Sequence, residues 1–410
     1  MRRSHTALLR VFSGAAGLLA AFGSLLLAGP VGASTSSKPP LVVGISMSLS
    51  GDFSPLAAPQ LNGYRLWAQT VNAHGGILGR QVVLKIADDA SNPTQAVSNY
   101  QNFISGDHVD LVFGPFSSLL TIPTAPIAKR YGYAFIEPSG GSPTIFNEHL
   151  NNVFFTQPAP ILSSGNEFAS YILSLPPKER PKTAAYPTVD DPFTSPIVAE
   201  IQQRLQAAGI KTVYSKTYST ETVDLSPVVA AIVAAKPDLI VSGTGGADAV
   251  AEVNGFIQSK FNPKYLFFTG GPDDPSFKNQ VGASNVNGIF STGDWFYQDK
   301  TAGNAAFVKA YVAKYGGTPA TIDSAAAEAY AAGQVVQLVA QRTGKVDNAT
   351  IIKALHRGTW PTVEGNLSWN AAGSPNGEDI IVQWVKQQLV PVYPPAVAVT
   401  SPILKPPWGG

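Results

Sequence analysis

The sequence predicts an α/β protein of two successive units, each a mostly parallel sheet flanked by helices. Three observations carry this. Short apolar runs of strand length end in turns rich in Gly, Pro and Ser, and they alternate with segments of helical spacing. The alternation starts near residue 41, breaks at a polar passage over 147–152, and then restarts. Its clearest unit spans 111–143. There Leu111-Val112-Phe113-Gly114-Pro115-Phe116-Ser117-Ser118 and Phe135-Ile136-Glu137-Pro138-Ser139-Gly140-Gly141-Ser142-Pro143 read as two buried parallel strands, each delivering a small polar loop. A helix over about 119–131 lies between them. Ligands of open α/β sheets sit at the carboxyl ends of the strands. Ser117, Ser118, Ser139 and Ser142 are therefore candidate cleft hydroxyls, suited to a small anionic or zwitterionic molecule.

The other elements follow in order. Leu41-Val42-Val43-Gly44-Ile45-Ser46-Met47 is a strand, and a helix over 55–73 carries Leu56, Leu61, Tyr64, Trp67 and Val71 near helical spacing. Gly75-Gly76 stops it, and a strand over 81–87 ends in Asp88-Asp89. Ser91-Asn92-Pro93 caps a helix to 104. After the polar break, helices are expected at 161–175, 195–209, 226–236 and 247–261, and strands at 183–187, 212–218, 239–242 and 265–269. A strand at 288–291 follows, then helices at 302–315, 324–343 and 348–355, and a strand at 380–385 before a Pro-rich end.

Bulk properties narrow the class. At 410 residues the chain is long enough for two cores. Met1-Arg2-Arg3 and Arg10 precede an apolar run over about 11–28, and Val31-Gly32-Ala33 offers small residues to a signal peptidase. Residues 1–33 are thus expected to be an export signal cleaved near Ala33. Removing Arg2, Arg3 and Arg10 from 28 basic residues leaves 25 against 27 acidic ones, a net −2. No basic stripe suggests nucleic acid. The absence of cysteine excludes disulfides, thiolate chemistry, Cys-based zinc sites and a lipid anchor on cysteine. A soluble protein of the periplasm or cell exterior is expected.

Several stretches, in this order, resemble the type I periplasmic binding proteins that serve branched-chain amino-acid ABC transporters, the Leu/Ile/Val-binding family. They are Val71-Asn72-Ala73-His74-Gly75-Gly76-Ile77-Leu78-Gly79-Arg80, Asp88-Asp89 with Asn92-Pro93-Thr94-Gln95-Ala96, the 111–143 unit, and Gln383-Trp384 with Tyr393-Pro394. The resemblance implies two α/β lobes joined by three crossings, near 155–158, 290–293 and 363–367, that close like a hinge on a ligand. It divides the chain into lobe I (34–157 plus 293–362), lobe II (158–292 plus 363–400) and a flexible tail over 401–410.

It further implies that one lobe grips a carboxylate with hydroxyls and backbone N–H groups at helix starts, where partial positive charge collects. An acid of the other lobe takes the ammonium. Carried over position by position, the ligand-binding set is Ser117, Ser118, Gly141, Ser142, Phe193, Gly245 and Asp273, with Leu56, Asp274 and Trp295 as further candidates. Departures are visible. Gly141 replaces an expected threonine, and Phe193, Gly245 and Leu56 stand where tyrosines are expected, which would widen the pocket. The serines could instead simply cap helices. Trp295 could wall the pocket or pack at the hinge, and Asp88-Asp89 reads as structural rather than as an acid/base pair.

Gly243-Thr244-Gly245-Gly246-Ala247-Asp248 has a dinucleotide-loop outline, but Asp248 would oppose a pyrophosphate. His74, His108, His149 and His356 lack metal spacing. The resemblance therefore implies a monomeric solute-binding protein without metal or cofactor. It would bind a branched-chain or similar aliphatic amino acid and deliver it to a membrane permease. An aromatic acid, amide or urea in the same cleft, or a ligand-presenting sensory module, are the alternatives. No catalytic constellation argues for an enzyme.

Overall fold

A computed structural model describes residues 38–409. The expected export signal and its processing site lie outside them. Among the described residues, no helix is long and apolar enough to cross a membrane.

Four β/α steps build a first sheet. They are β1 (Leu41–Met47), α1 (Ser54–Ala73), β2 (Val82–Asp88), α2 (Pro93–Gln101), β3 (Leu111–Phe113), α3 (Ser118–Arg130), β4 (Phe135–Glu137), α4 (Pro143–Asn147) and β5 (Val153–Phe155). The strands run parallel in the order β2-β1-β3-β4-β5. β1, β3, β4 and β5 are almost wholly buried, which is why they read as continuous apolar runs. Asn92 caps α2 as its position suggested, accepting from the backbone N–H of Thr94 and Gln95.

The second sheet is assembled from α5 (Ile161–Ser174), β6 (Thr183–Val189), α6 (Thr194–Ala207), β7 (Lys211–Tyr218), α7 (Ser226–Ala235), β8 (Leu239–Ser242), α8 (Gly246–Gln258), β9 (Tyr265–Phe268), α9 (Phe277–Val281) and β10 (Ile289–Gly293). The chain then returns to the first lobe for α10 (Asn304–Tyr315), α11 (Ser324–Thr343), α12 (Asn348–Leu355) and the small pair β11 (Trp360–Thr362) and β12 (Gly365–Leu367). It ends on β13 (Ile380–Val385) and β14 (Gln388–Tyr393). The second sheet has the order β14-β13-β10-β9-β8-β6-β7, parallel except that β13 is antiparallel to both β10 and β14.

In the first lobe α11 lies against α1. Their backbones meet because glycine stands at the contact: a Cβ at Gly63 would sit 2.1 Å from the Ala326 carbonyl oxygen, and one at Gly333 would enter the Trp67 ring. A second apolar cluster continues from Phe135 and Phe155 of the first sheet, through Ile161 and Phe168 of α5, to Phe267 and Phe290 of the second. Phe168 stacks on Phe267 with ring centroids 4.2 Å apart.

Three passages join the sheets, and two lie later than the resemblance implied. β10 is itself part of the second sheet, so its passage begins at Asp294. Residues 363–367 do not cross, because Val363, Leu367 and Trp369 are buried in the first lobe's core. The third passage falls between Trp369 and β13 and runs beside the first. Trp369 Nε1 donates to the Phe155 carbonyl at 2.6 Å and the Gly377 N–H to the Pro158 carbonyl at 3.0 Å.

The tail expected to be flexible is docked. The Gln383 side chain pairs with both backbone groups of Ile403, at 2.7 and 2.8 Å, and Trp408 Nε1 donates to the Phe261 carbonyl at 2.7 Å. A side-chain amide on β13 thus pairs with the backbone of a tail residue that lies in no strand.

Candidate functional site

On the first lobe, the loops after β3 and β4 are tied to each other by a buried acid. Glu137 accepts from the Thr121 hydroxyl at 2.7 Å and from the backbone N–H of Ser139 and Gly140, both at 2.8 Å. Burial pushes its carboxyl up to about 7. Gln60 reinforces the pair, accepting from the Ser139 hydroxyl at 2.6 Å and donating to the Pro115 carbonyl at 3.2 Å. Tyr64 donates to the Gly114 carbonyl at 3.0 Å.

Within this frame the serines separate. Ser118 Oγ accepts from the Ser142 N–H at 3.0 Å, and Ser142 Oγ from the Thr144 N–H at 3.3 Å, at the start of α4. Both residues are fully buried. Gly141 is locked in the same packing, where a Cβ would press on Ile161 and Phe155 at 2.5–2.6 Å. A threonine would not fit there. Ser117 behaves differently. It precedes the 13-residue α3, has φ 82°, and makes no side-chain cap hydrogen bond. Its Oγ is buried without a partner. A non-glycine residue at positive φ is strained, and such strain collects at functional sites. The first N–H groups of α3 lack intrahelical acceptors, so this corner offers donors to a carboxylate. Phe116 and Phe53, 5.8 Å apart by ring centroids, stand beside it.

On the second lobe the loops are less filled. Gly245 precedes α8, and a Cβ built there meets nothing within 4 Å. At the next residue the lobes approach, since a Cβ on Gly246 would sit 3.5 Å from Leu56 Cδ2 on α1. Phe193 precedes α6 and leans on the second apolar cluster. Its N–H and that of Thr194 are held by Asp191 at 2.9 and 3.0 Å.

The two candidate acids after β9 also divide. Asp274 accepts from the N–H and hydroxyl of Ser276, at 2.7 and 2.8 Å, so it is committed to its own turn. Asp273 keeps a buried Oδ1 without a partner. Burial first, then Asp274 and Asp294, push its carboxyl up to about 7, against the pull of nearby backbone N–H groups. Trp295 is anchored to the first lobe and also borders the space beside Asp273: its indole N–H donates to Asn304 at 2.9 Å, and its ring lies edge-on to Phe307.

Sequence reasoning missed the acids around Asp273. Asp294 opens the second passage, Asp323 caps α11, and Glu328 lies one turn further along that helix. Burial, then Asp274 and Asp273 across the cleft, push Asp323 up to about 8. The carboxyls of Asp294 and Glu328 meet each other, and burial raises both. Glu364 is raised by burial and then by Asp294, and both its oxygens are buried without a partner. The ion pairs among the described residues, Arg80–Asp110 and Lys85–Asp107, lie elsewhere. A cavity of about 40 Å³, lined in part by Asp273, Asp294, Trp295 and Ser324, has room for a group of about water's size. One signal was available: Glu328 is a lone acid in an otherwise small and apolar stretch, Ala325-Ala326-Ala327-Glu328-Ala329-Tyr330.

The carboxylate pair that could suggest acid/base work is structural. Asp89 accepts from Ser46 at 3.0 Å and Ser48 at 2.6 Å, while Asp88 holds the backbone of Leu49 and Ser50. In the dinucleotide-like loop, Asp248 accepts from the Tyr218 hydroxyl at 3.0 Å.

The model of a family described as periplasmic binding protein matches residues 40–388. The chain belongs to that family. The Leu/Ile/Val-binding protein homolog 7 of Brucella melitensis is 24% identical, covering 94% of this chain and 98% of the relative. Two solved structures share the fold. One is a solute-binding protein of an ABC transporter from R. palustris in complex with benzoate, with TM-score 0.75 and 22% identity, covering 88% of this chain and 98% of that one. The other is a branched-chain amino-acid transporter substrate-binding protein from Streptococcus pneumoniae in complex with isoleucine, with TM-score 0.74 and 21% identity, covering 85% and 97%. As a periplasmic binding protein, this chain has its candidate ligand groups on loops of both lobes.

Proposed function

We propose that this protein is the exported binding component of an ABC importer, holding an aliphatic amino acid between its lobes and delivering it to the permease. The observation that carries this reading is a pair of buried oxygens without partners, Ser117 Oγ on one lobe and Asp273 Oδ1 on the other. Ser117 and the start of α3 would take the carboxylate, and Asp273 the ammonium, with Gly141, Ser118 and Ser142 shaping the first-lobe wall. Phe193, Gly245 and Leu56 would bound the side chain. The isoleucine complex of a protein with this fold supports the amino-acid class. Closure would follow from contacts made with both lobes only when they meet, since differential affinity is what shifts such an equilibrium.

A second reading has its own support. The Phe53–Phe116 pair and the open space at Gly245 suit an aromatic acid, and a protein of the same fold is solved with benzoate. The test is thermal stabilisation of refolded protein. Binding to the native state alone raises stability by about 2.7 kcal/mol at a ligand concentration of 100 Kd. Leucine, isoleucine or valine should raise Tm, and Ser117→Ala and Asp273→Asn should both reduce the shift. A shift with benzoate that Asp273→Asn leaves unchanged would replace the first reading by the second.

A further inference from the structure

The outer end of the first lobe carries a concavity of about 510 Å³, lined by Arg342, Lys345, Lys353, Arg357, Ala354 and Trp360 with Thr343, Thr350 and Gly358. It is formed where α11 ends, α12 runs past it and β11 begins. Arg342 is 14 residues beyond Glu328 on the same helix, hence ~21 Å from the cleft acids at 1.5 Å per residue. None of the residues assigned to the interlobe cleft lines it.

Four cations converge there without an acid in the lining, on a chain whose residues 34–410 carry a net −2. None of the four belongs to either ion pair of the described residues. Asp347, whose charge reaches Lys345, is committed to capping α12 through the Thr350 N–H and hydroxyl, both at 2.9 Å. Favourable helix dipoles account for Arg342 and Lys353, each in the last turn of its helix. Lys345 and Arg357 follow the same two helix ends by two residues and share that attraction, but the dipoles do not account for all four lining one hollow.

Arg342 is also pre-set. Its guanidinium carbon lies 3.9 Å from the Trp360 ring centroid, and its hydrogen bond to the Thr359 carbonyl is long, at 3.5 Å. Trp360 is buried and its indole N–H has no partner. The ring holds the guanidinium in place, and beyond the long bond to Thr359 it has N–H groups that can meet an anion. The Thr343 and Thr350 hydroxyls donate to the Val339 carbonyl and Asp347, so the cations carry the recognition.

We propose that this concavity is a second binding site, separate from the cleft, for a compact polyanion bearing phosphate groups. The hollow is open and its four cations are exposed, which suits a charged, hydrated ligand held by its anionic groups. Four cations match about two phosphate groups, each carrying roughly −1.5 to −2 at neutral pH. Free phosphorylated solutes and phospholipid headgroups share this chemistry.

The experiment titrates the full chain with pyrophosphate by calorimetry, and in parallel sediments it with vesicles of phosphatidylglycerol in phosphatidylcholine. Arg342→Gln/Arg357→Gln serves as the comparison, with its Tm and its Tm shift on cleft-ligand addition as folding controls. Pyrophosphate binding that the double variant weakens by at least about tenfold, and that salt weakens further, supports a soluble ligand. Vesicle binding lost in the same variant supports a headgroup. Binding in neither arm, or binding equally strong in the variant, overturns the proposal.

Discussion

The two sides of the cleft differ in how completely they satisfy themselves. The first-lobe loops form a closed network in which Glu137 alone accepts from three donors, and Ser117 Oγ is the hydroxyl left over. Across from them, Gly245 borders open space and Asp273 keeps a buried oxygen without a partner. A loop whose groups are spent on one another is rigid and presents few positions that could change. A loop with open positions can change its ligand without losing its fold. On the proposed reading, the first lobe is the fixed half of the clamp, and the second the half that sets the ligand.

The largest expected effect breaks the fixed half. Glu137→Ala strands three buried donors, each costing about 1–3 kcal/mol. Thermal unfolding should therefore drop by ~10 °C or more, at about 2–4 °C per kcal/mol for a large domain. A drop of only ~1–2 °C would show that the network is not what holds the loops.

Ser117→Ala and Asp273→Asn form the second contrast. Neither oxygen has a partner in the protein, so both variants should keep or raise the ligand-free Tm. Their ligand affinity should fall about tenfold or more, the range for hydrogen bonds to charged groups. A destabilised ligand-free protein would reassign these atoms to the fold.

The acids predict a third outcome. Asp273 and Asp323 titrate near 7 and 8 in the folded chain, above ordinary carboxyls, because burial disfavours their charge. A raised folded value makes the contribution to stability fully present below the ordinary carboxyl range and lost as pH rises through the folded value. Ligand-free Tm should therefore decline from about pH 5 to about pH 8, and Asp323→Asn should flatten that slope. A slope unchanged by the variant would remove Asp323 from the effect.

Gly245→Ala gives the smallest effect. Its φ of −92° suits any residue and the space is open, so stability should stay within about ±0.5 kcal/mol in a denaturant titration. A change in relative affinity for large and small ligands would place this position in the pocket.

The fold was legible because its signals are local. Buried parallel strands such as β3 and β4 leave unbroken apolar runs, and Asn92-Pro93 marks a helix start wherever it lies. The third passage was misplaced although its composition marks it: 363–369 carries Val363, Leu367 and Trp369, buried in the first core, whereas 370–379 is small and polar with Gly373, Pro375 and Gly377. The tail was misread because its anchor, Gln383, is 20 residues away in sequence from the backbone it holds. Among the site residues, spacing could not tell Ser117 from Ser118, since only φ and the missing hydrogen bond separate them. The acid group was hidden for the same reason: Asp273, Asp294, Asp323 and Glu328 are brought together from three separate elements. The basic concavity likewise gave no charge run, its cations being spread between 342 and 357.

The most direct test of the two-sided clamp is calorimetric titration of refolded protein with isoleucine, its deaminated acid and its decarboxylated amine. If Ser117 and Asp273 divide the ligand's charges, isoleucine binds at least about tenfold more tightly than either fragment. Ser117→Ala should then weaken isoleucine and the acid but not the amine, and Asp273→Asn isoleucine and the amine but not the acid. An acid that binds as tightly as isoleucine, indifferent to Asp273→Asn, would contradict it.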